Sequence, residues 1–98
     1  MIPKHLLADR HWRGTLHIFV NNAKLQSYAA PHVDFEDCTI NISALKKMSR
    51  PWSQSEKFML NLALHLFNES NKVNLSDMDY LDDYNKEIAL KAIQLRFL

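Results

Sequence analysis

Apolar positions are densest between Phe58 and Phe67, where eight of ten residues are apolar. The exceptions, Asn61 and His65, join Lys57 and Asn68 at spacings of four, four and three. On a helix those spacings place all four on one narrow stripe, and the rest of the cylinder is oily. Such a helix must be covered on most sides by the remaining chain. Its start is marked by Ser53 and Glu56, an S-x-x-E capping box directly after Pro51-Trp52. The pattern predicts a central buried helix over 53–71.

Two periods compete in the segment DRHWRGTLHIFVNNAKL that begins at Asp9. Trp12, Leu16, Phe19 and Val20 follow helical spacing, with Asp9 placed to cap. Leu16, Ile18 and Val20 also alternate as a strand would, and TLHIFV is β-branched and aromatic. Gly14 weakens a helix by about 1 kcal/mol relative to alanine. The balance falls to a helix over 9–21, because a strand needs a partner and only CTINI (38–42) offers one.

The other segments are shorter. Residues 1–8 read as an irregular arm docked by Leu6-Leu7. AKLQSYAA (23–30) is a short helix that Pro31 must end. PHVDFED is a loop anchored by Val33 and Phe35, and Ser43–Met48 is a turn of helix. Ser76 with Asp79 signals a cap for a single turn at best. Asp82 or Asp83 caps the last helix, 83–97, whose buried face is Ile88, Ala89, Ala92, Ile93 and Leu95 or Phe97. Glu87–Lys91 is an exposed i, i+4 pair on it. The expectation is one all-α domain over 1–98, a helical bundle of four or five helices with 83–97 antiparallel to 53–71. The alternative is α+β with a short N-terminal hairpin. The expected core is Leu16, Phe19, Phe58, Leu62, Leu66, Ile88, Ala92 and Ile93.

Composition narrows the classes of function. A single glycine in 98 residues disfavours Gly-rich phosphate loops, and the lone Cys38 allows no internal disulfide. The longest apolar block covers about half a membrane span, and MIPKHLLADR carries no apolar stretch of signal-peptide length. A cytoplasmic, soluble protein is expected. Net charge is only +1, so no global field steers the chain to nucleic acid or membrane. The charge is uneven: Lys4, Arg10, Arg13 and Lys24 lie near the start, and Asp77, Asp79, Asp82 and Asp83 cluster later. Opposite ends can pair head to tail in a homodimer. The simpler account is acidic residues at helix starts.

The motifs LALHLFN, LSDMDYLD and AIQLRF, taken together, resemble a family of small proteins of Gram-positive bacteria and their phages and mobile elements. The matching positions are Asp9-Arg10, Leu16 to Asn21, Leu66-Phe67-Asn68, Leu81-Asp82, and Ala92-Ile93 with Arg96-Phe97. His11, Trp12 and Gly14 depart from the charged, helix-favouring residues that the family has there. The resemblance implies a mainly helical fold and a helix over 9–21, and it brings no catalytic residues.

Direct chemistry finds little support. His5, His11 and His17 are six residues apart, about 600° on a helix, so no two rings share a face. An EF-hand begun at Asp77 puts Asp82 where glycine is needed and Ile88 where the bidentate carboxylate belongs. Cys38 follows Glu36 and Asp37, the opposite of what activates a thiol, and no nucleophile elbow is present. No metal, cofactor or enzymatic activity is expected. The preferred reading is a protein-binding or regulatory module, its partner a host or phage protein or a second copy. Candidate contacts are Lys57, Asn61, His65, Asn68 and Trp12. The alternative is a nucleic-acid accessory protein touching phosphates through Lys46, Lys47, Arg50, Arg10 and Arg13.

Overall fold

The computed structural model describes residues 3–98. Its elements are α1 (Lys4–Ala8), α2 (Arg10–Asn21), α3 (Ala23–Ala29), β1 (Val33–Asp34), β2 (Thr39–Ile40), α4 (Ile42–Met48), α5 (Gln54–Phe67) and α6 (Asp83–Phe97). Two 3-10 turns, Ala30–His32 and Leu75–Tyr80, complete it. The domain is mostly α-helical, as the periodicity implied.

Local chemistry starts most of the helices. Asp9 accepts from the His11 N–H to cap α2, Asn22 caps α3, Asn41 caps α4 and Asp82 caps α6. The Ser53–Glu56 capping box is complete in both directions at α5. The Ser53 backbone N–H holds the Glu56 carboxyl below its ordinary range, and Lys24 reinforces this across a 3.1 Å ion pair. Lys24 also lies 4.8 Å over the Trp52 ring, which meets Tyr28 edge-on, so Trp52 packs beside the cap.

Several boundaries and pairings differ from the expectation. The segment 4–8 is a turn of helix, not an irregular arm; Leu6 is buried while Leu7 stays 49% exposed. Residues 1–2 lie outside the described ones. Residues 39–40 do form a strand, but its antiparallel partner is Val33–Asp34, with Val33 opposite Ile40. The loop between them is closed by Asp34, whose carboxylate accepts the Glu36 and Asp37 N–H groups, and Cys38 turns through φ 56°. The Leu75–Tyr80 turn is capped by Asn74, not Ser76. The central helix stops at Phe67, and Asn68 is its C-cap.

The core is organised around α2 and not around the 53–71 helix that the sequence pattern placed at its centre. Helix α5 buries seven residues from Phe58 to Leu66, yet α2 is the helix that packs on both α5 and α6. Gly14 makes this possible. A Cβ there would stand 2.6 Å from the Ala92 carbonyl oxygen of α6 and 3.0 Å from Leu66 Cδ1 of α5. The glycine that costs helix propensity is the point where three helices converge. Next to it, buried Thr15 donates from Oγ1 to the Ala63 carbonyl of α5 at 2.8 Å. That carbonyl also faces its own helix, so Thr15→Val leaves no orphaned acceptor. Urea unfolding should show a loss of about 1 kcal/mol.

Contacts at the helix ends fix the directions. Asn22 Nδ2 donates to Asn85 Oδ1, and Tyr84 donates to the Asn21 carbonyl, which joins the end of α2 to the start of α6. Arg96 reaches His11 Nε2 at 3.2 Å and donates from Nε to the Leu66 carbonyl at 3.2 Å. Both α5 and α6 therefore run antiparallel to α2, with their C-terminal ends meeting beside its start. They run the same way as each other, and the expected antiparallel pairing of 83–97 with 53–71 is not what forms.

Seven of the eight expected core residues are buried, and Ile93 packs against them half-buried. Phe97, offered as an alternative to Leu95 on the inner face, is 62% exposed.

Candidate functional site

Trp12 is not available to a partner. It is 4% exposed, with Phe67 edge-on at 4.8 Å between ring centroids and Phe35 at 6.2 Å. Its position among the apolar residues of α2 sends it inward, and it ties the β1–β2 loop to the end of α5.

The polar stripe of α5 is the rim of a buried helix. Lys57, Asn61 and His65 are half-buried and Asn68 is exposed. His65 donates from Nδ1 to the Asn71 carbonyl at 2.8 Å, and the Asn68 side chain accepts from the Ser70 N–H and hydroxyl. Those two residues shape the turn that leaves the helix. Only Lys57 and Asn61 among the four have no such local bond.

The basic residues are divided between elements. Lys46 and Lys47 occupy the last turn of α4, where the helix dipole favours cations, and Arg50 follows on the surface. Arg10 and Arg13 lie on α2, Arg10 exposed and Arg13 partly buried. The later acidic run is largely explained by helix starts: Asp82 caps α6, Asp83 is in its first turn and Asp77 in that of the preceding 3-10 turn.

The most site-like feature is a groove of about 310 Å³ between α1, α2 and α6. Leu7, Leu16, Val20 and Leu95 supply its apolar lining, with Arg13, His17 and Asn21 as its polar groups. Val20, which helical spacing assigned to the interior, is 48% exposed. A second hollow of about 230 Å³ shares Leu16 and Val20 and continues over Phe19, Ala29, Val33 and Phe35. The two form one apolar surface across the outer side of α2. The sequence signal was present in Leu7 and Val20, but periodicity could not say that α1 and α6 stop short of covering them.

The polar groups of the groove are lopsided. Helix α2 contains no Asp or Glu between Arg10 and Asn21. Arg13 Nε is shut off from solvent with no hydrogen-bond partner, and among the described residues the one ion pair is Lys24–Glu56. The Asn21 amide donates to His17 Nδ1 at 3.2 Å, which suits a neutral ring. Burial first, and then the Lys91 charge, hold the His17 pKa below its ordinary 6.5. A lowered folded-state pKa means that the unfolded chain takes up the proton first. His17 therefore contributes stability above about pH 6.5 that is lost as pH falls through the lower folded value. Urea melts of wild type and His17→Gln between about pH 5 and 7.5 should converge toward acid as the wild type loses this advantage.

Among the described residues no three His, Cys, Asp or Glu side chains gather to hold a metal, and no helix is long and apolar enough to cross a membrane. Cys38 is half-buried, with Sγ 4.0 Å from His5 Nε2 of α1. No family model, curated protein or solved structure matches the chain.

Proposed function

We propose that the protein is a non-enzymatic binding module that docks a protein partner on the outer side of α2. The observation that carries this reading is the continuous apolar surface around Leu16 and Val20, flanked by half-exposed Leu7. Large aliphatic side chains left half in water at the lip of a groove lower their free energy when a partner covers them. Both hollows are open along one side and together present aliphatic side chains over a long stretch of α2, which suits the docking of a partner more than the enclosure of a small substrate. The resemblance to small proteins of mobile elements supplies the context, in which the partner is a host or phage protein whose activity the module modulates. A second copy of the chain is the alternative partner. The groove replaces the α5 stripe as the leading contact surface, because two stripe residues are engaged in their own turn and Trp12 is inside.

The nucleic-acid reading keeps Lys46, Lys47, Arg50 and Arg10 on the surface, but on separate elements. Affinity capture after nuclease treatment separates the readings. Under the docking account a stoichiometric protein survives nuclease, is lost with Val20→Asp, and is retained when Lys46, Lys47 and Arg50 are changed to glutamate. Capture that disappears with nuclease and with the triple change, but survives Val20→Asp, would establish the nucleic-acid account instead.

A further inference from the structure

We infer that the face shared by α3, α4 and the turn at 49–52 binds single-stranded nucleic acid, with a base stacked on Tyr28 and phosphates held by Lys46, Lys47 and Arg50. This is a second binding surface, separate from the groove residues of the docking reading. Short backbone bonds bring its parts together. Helix α4 packs on the 3-10 turn that ends α3, where the Asn41 N–H donates to the His32 carbonyl at 2.8 Å. Beyond α4 the Trp52 N–H donates to the Ser49 carbonyl at 2.9 Å, and the indole meets Tyr28 of α3 with ring centroids 5.4 Å apart. An aromatic pair therefore stands beside the last turn of α4.

The cations form one stripe. Lys46 and Lys47 precede Arg50 by four and three residues, and the Arg50 N–H donates to the Lys47 carbonyl, which carries the helical turn onward. All three are exposed, and among the described residues none of them is in an ion pair. The helix dipole accounts for lysines at the end of α4, but not for the arginine beyond it or the aromatic pair alongside. Acidic residues are few on this face. There is no Asp or Glu from Arg10 to Val33 or from Cys38 to Ser55. Glu56 is taken up by the Ser53 N–H and Lys24, and Asp34, Glu36 and Asp37 lie in the loop that precedes the other end of α4.

Tyr28 remains 43% exposed although Trp52 packs on it, and Lys24 over the indole helps to fix the pair. A single strand offers both things this face can bind, a run of phosphates and open base faces. A duplex keeps its bases stacked on one another, and an acidic peptide would match the cations but leave the phenol ring unused.

The test is fluorescence anisotropy of labelled oligothymidylate, and of a duplex of equal length, with the full-length protein between about 50 and 300 mM salt. The single strand should bind more tightly than the duplex. Three phosphate contacts predict a log–log salt slope of about −2. Changing Lys46, Lys47 and Arg50 together to glutamine should bring that slope close to zero. Tyr28→Leu should weaken binding about tenfold with the slope unchanged, and Tyr28→Phe should bind as wild type. Thermal melts establish that the variants are folded, and Tyr28→Gln serves where leucine does not fold. Val20→Asp should leave the strand bound, which separates this surface from the docking groove. Equal affinity for the duplex, or indifference to Tyr28→Leu, would reduce the face to an unspecific polyanion patch and overturn the inference. Binding that survives the triple change or is lost with Val20→Asp, or no binding at about 50 mM salt, would overturn it as well.

Discussion

Trp12→Ala should destabilise the protein by about 3–5 kcal/mol, the range for removing a large buried aromatic side chain. The indole is almost wholly enclosed, and its neighbours come from distant parts of the chain: Phe35 in the β1–β2 loop and Phe67 at the end of α5. Neither ring can collapse far into the space without moving the element that carries it. Aromatic pairing adds about 0.5–1.5 kcal/mol beyond simple burial. A domain of this size has a total stability of about 5–10 kcal/mol, so the variant would be near its folding limit. Urea unfolding followed by circular dichroism measures the loss. A cost below about 1 kcal/mol would mean that Trp12 is not enclosed as described.

Gly14→Ala sets two effects of opposite sign against each other. Helix propensity alone favours alanine by about 1 kcal/mol. The packing opposes it, because the new Cβ would stand 2.6 Å from the Ala92 carbonyl oxygen. Leu66 Cδ1, the other close atom at 3.0 Å, ends a side chain and can swing away, but the carbonyl belongs to the α6 backbone. Helix α6 would have to retreat along its contact with α2, and overpacking of this kind costs about 1–3 kcal/mol. The clash is the larger effect, so the variant should be less stable than wild type, and Gly14→Val less stable again. Trimming the opposite side chain in Gly14→Ala/Ala92→Gly should not restore it, since the obstruction is main chain. A rise in melting temperature for Gly14→Ala would show that the helices do not approach this closely.

Gly14 also illustrates what can be read from a chain before it is folded. Its cost to a helix is local and follows from the residue type; its value lies in the distance between three helices, which no local pattern contains. The same division holds elsewhere. Asp9, Ser53 with Glu56, and Asp82 mark helix starts correctly because capping involves neighbours within three residues. Leu16, Phe19, Leu62, Leu66, Ile88 and Ala92 go inside because their periodicity leaves no other common face.

The direction of α6 relative to α5 depends on a third helix. The connection from α5 to α6, residues 68–82, is too long to set their relative direction; α2 accepts both antiparallel to itself and so leaves those two pointing the same way. Helical spacing expects burial of Val20, and Leu7 was expected to dock an irregular arm; both stay half-exposed because the coverage by α1 and α6 ends early. The candidate site was thus legible only as apolar residues that the core was expected to use. The α5 stripe was legible as polarity, and its geometry gives His65 and Asn68 the task of closing a turn. Arg13 was legible as charge; its sealed Nε was not.

The central claim is that partners dock on the outer side of α2. Methyl NMR of the protein titrated with its captured partner tests this most directly, because every residue in question carries a methyl group. The account predicts that Leu7, Leu16, Val20 and Leu95 shift or broaden together, with the methyls beneath the Lys57–Asn68 stripe unchanged. Perturbation confined to α4 or to the α5 stripe, with Leu7 and Val20 unmoved, would contradict it.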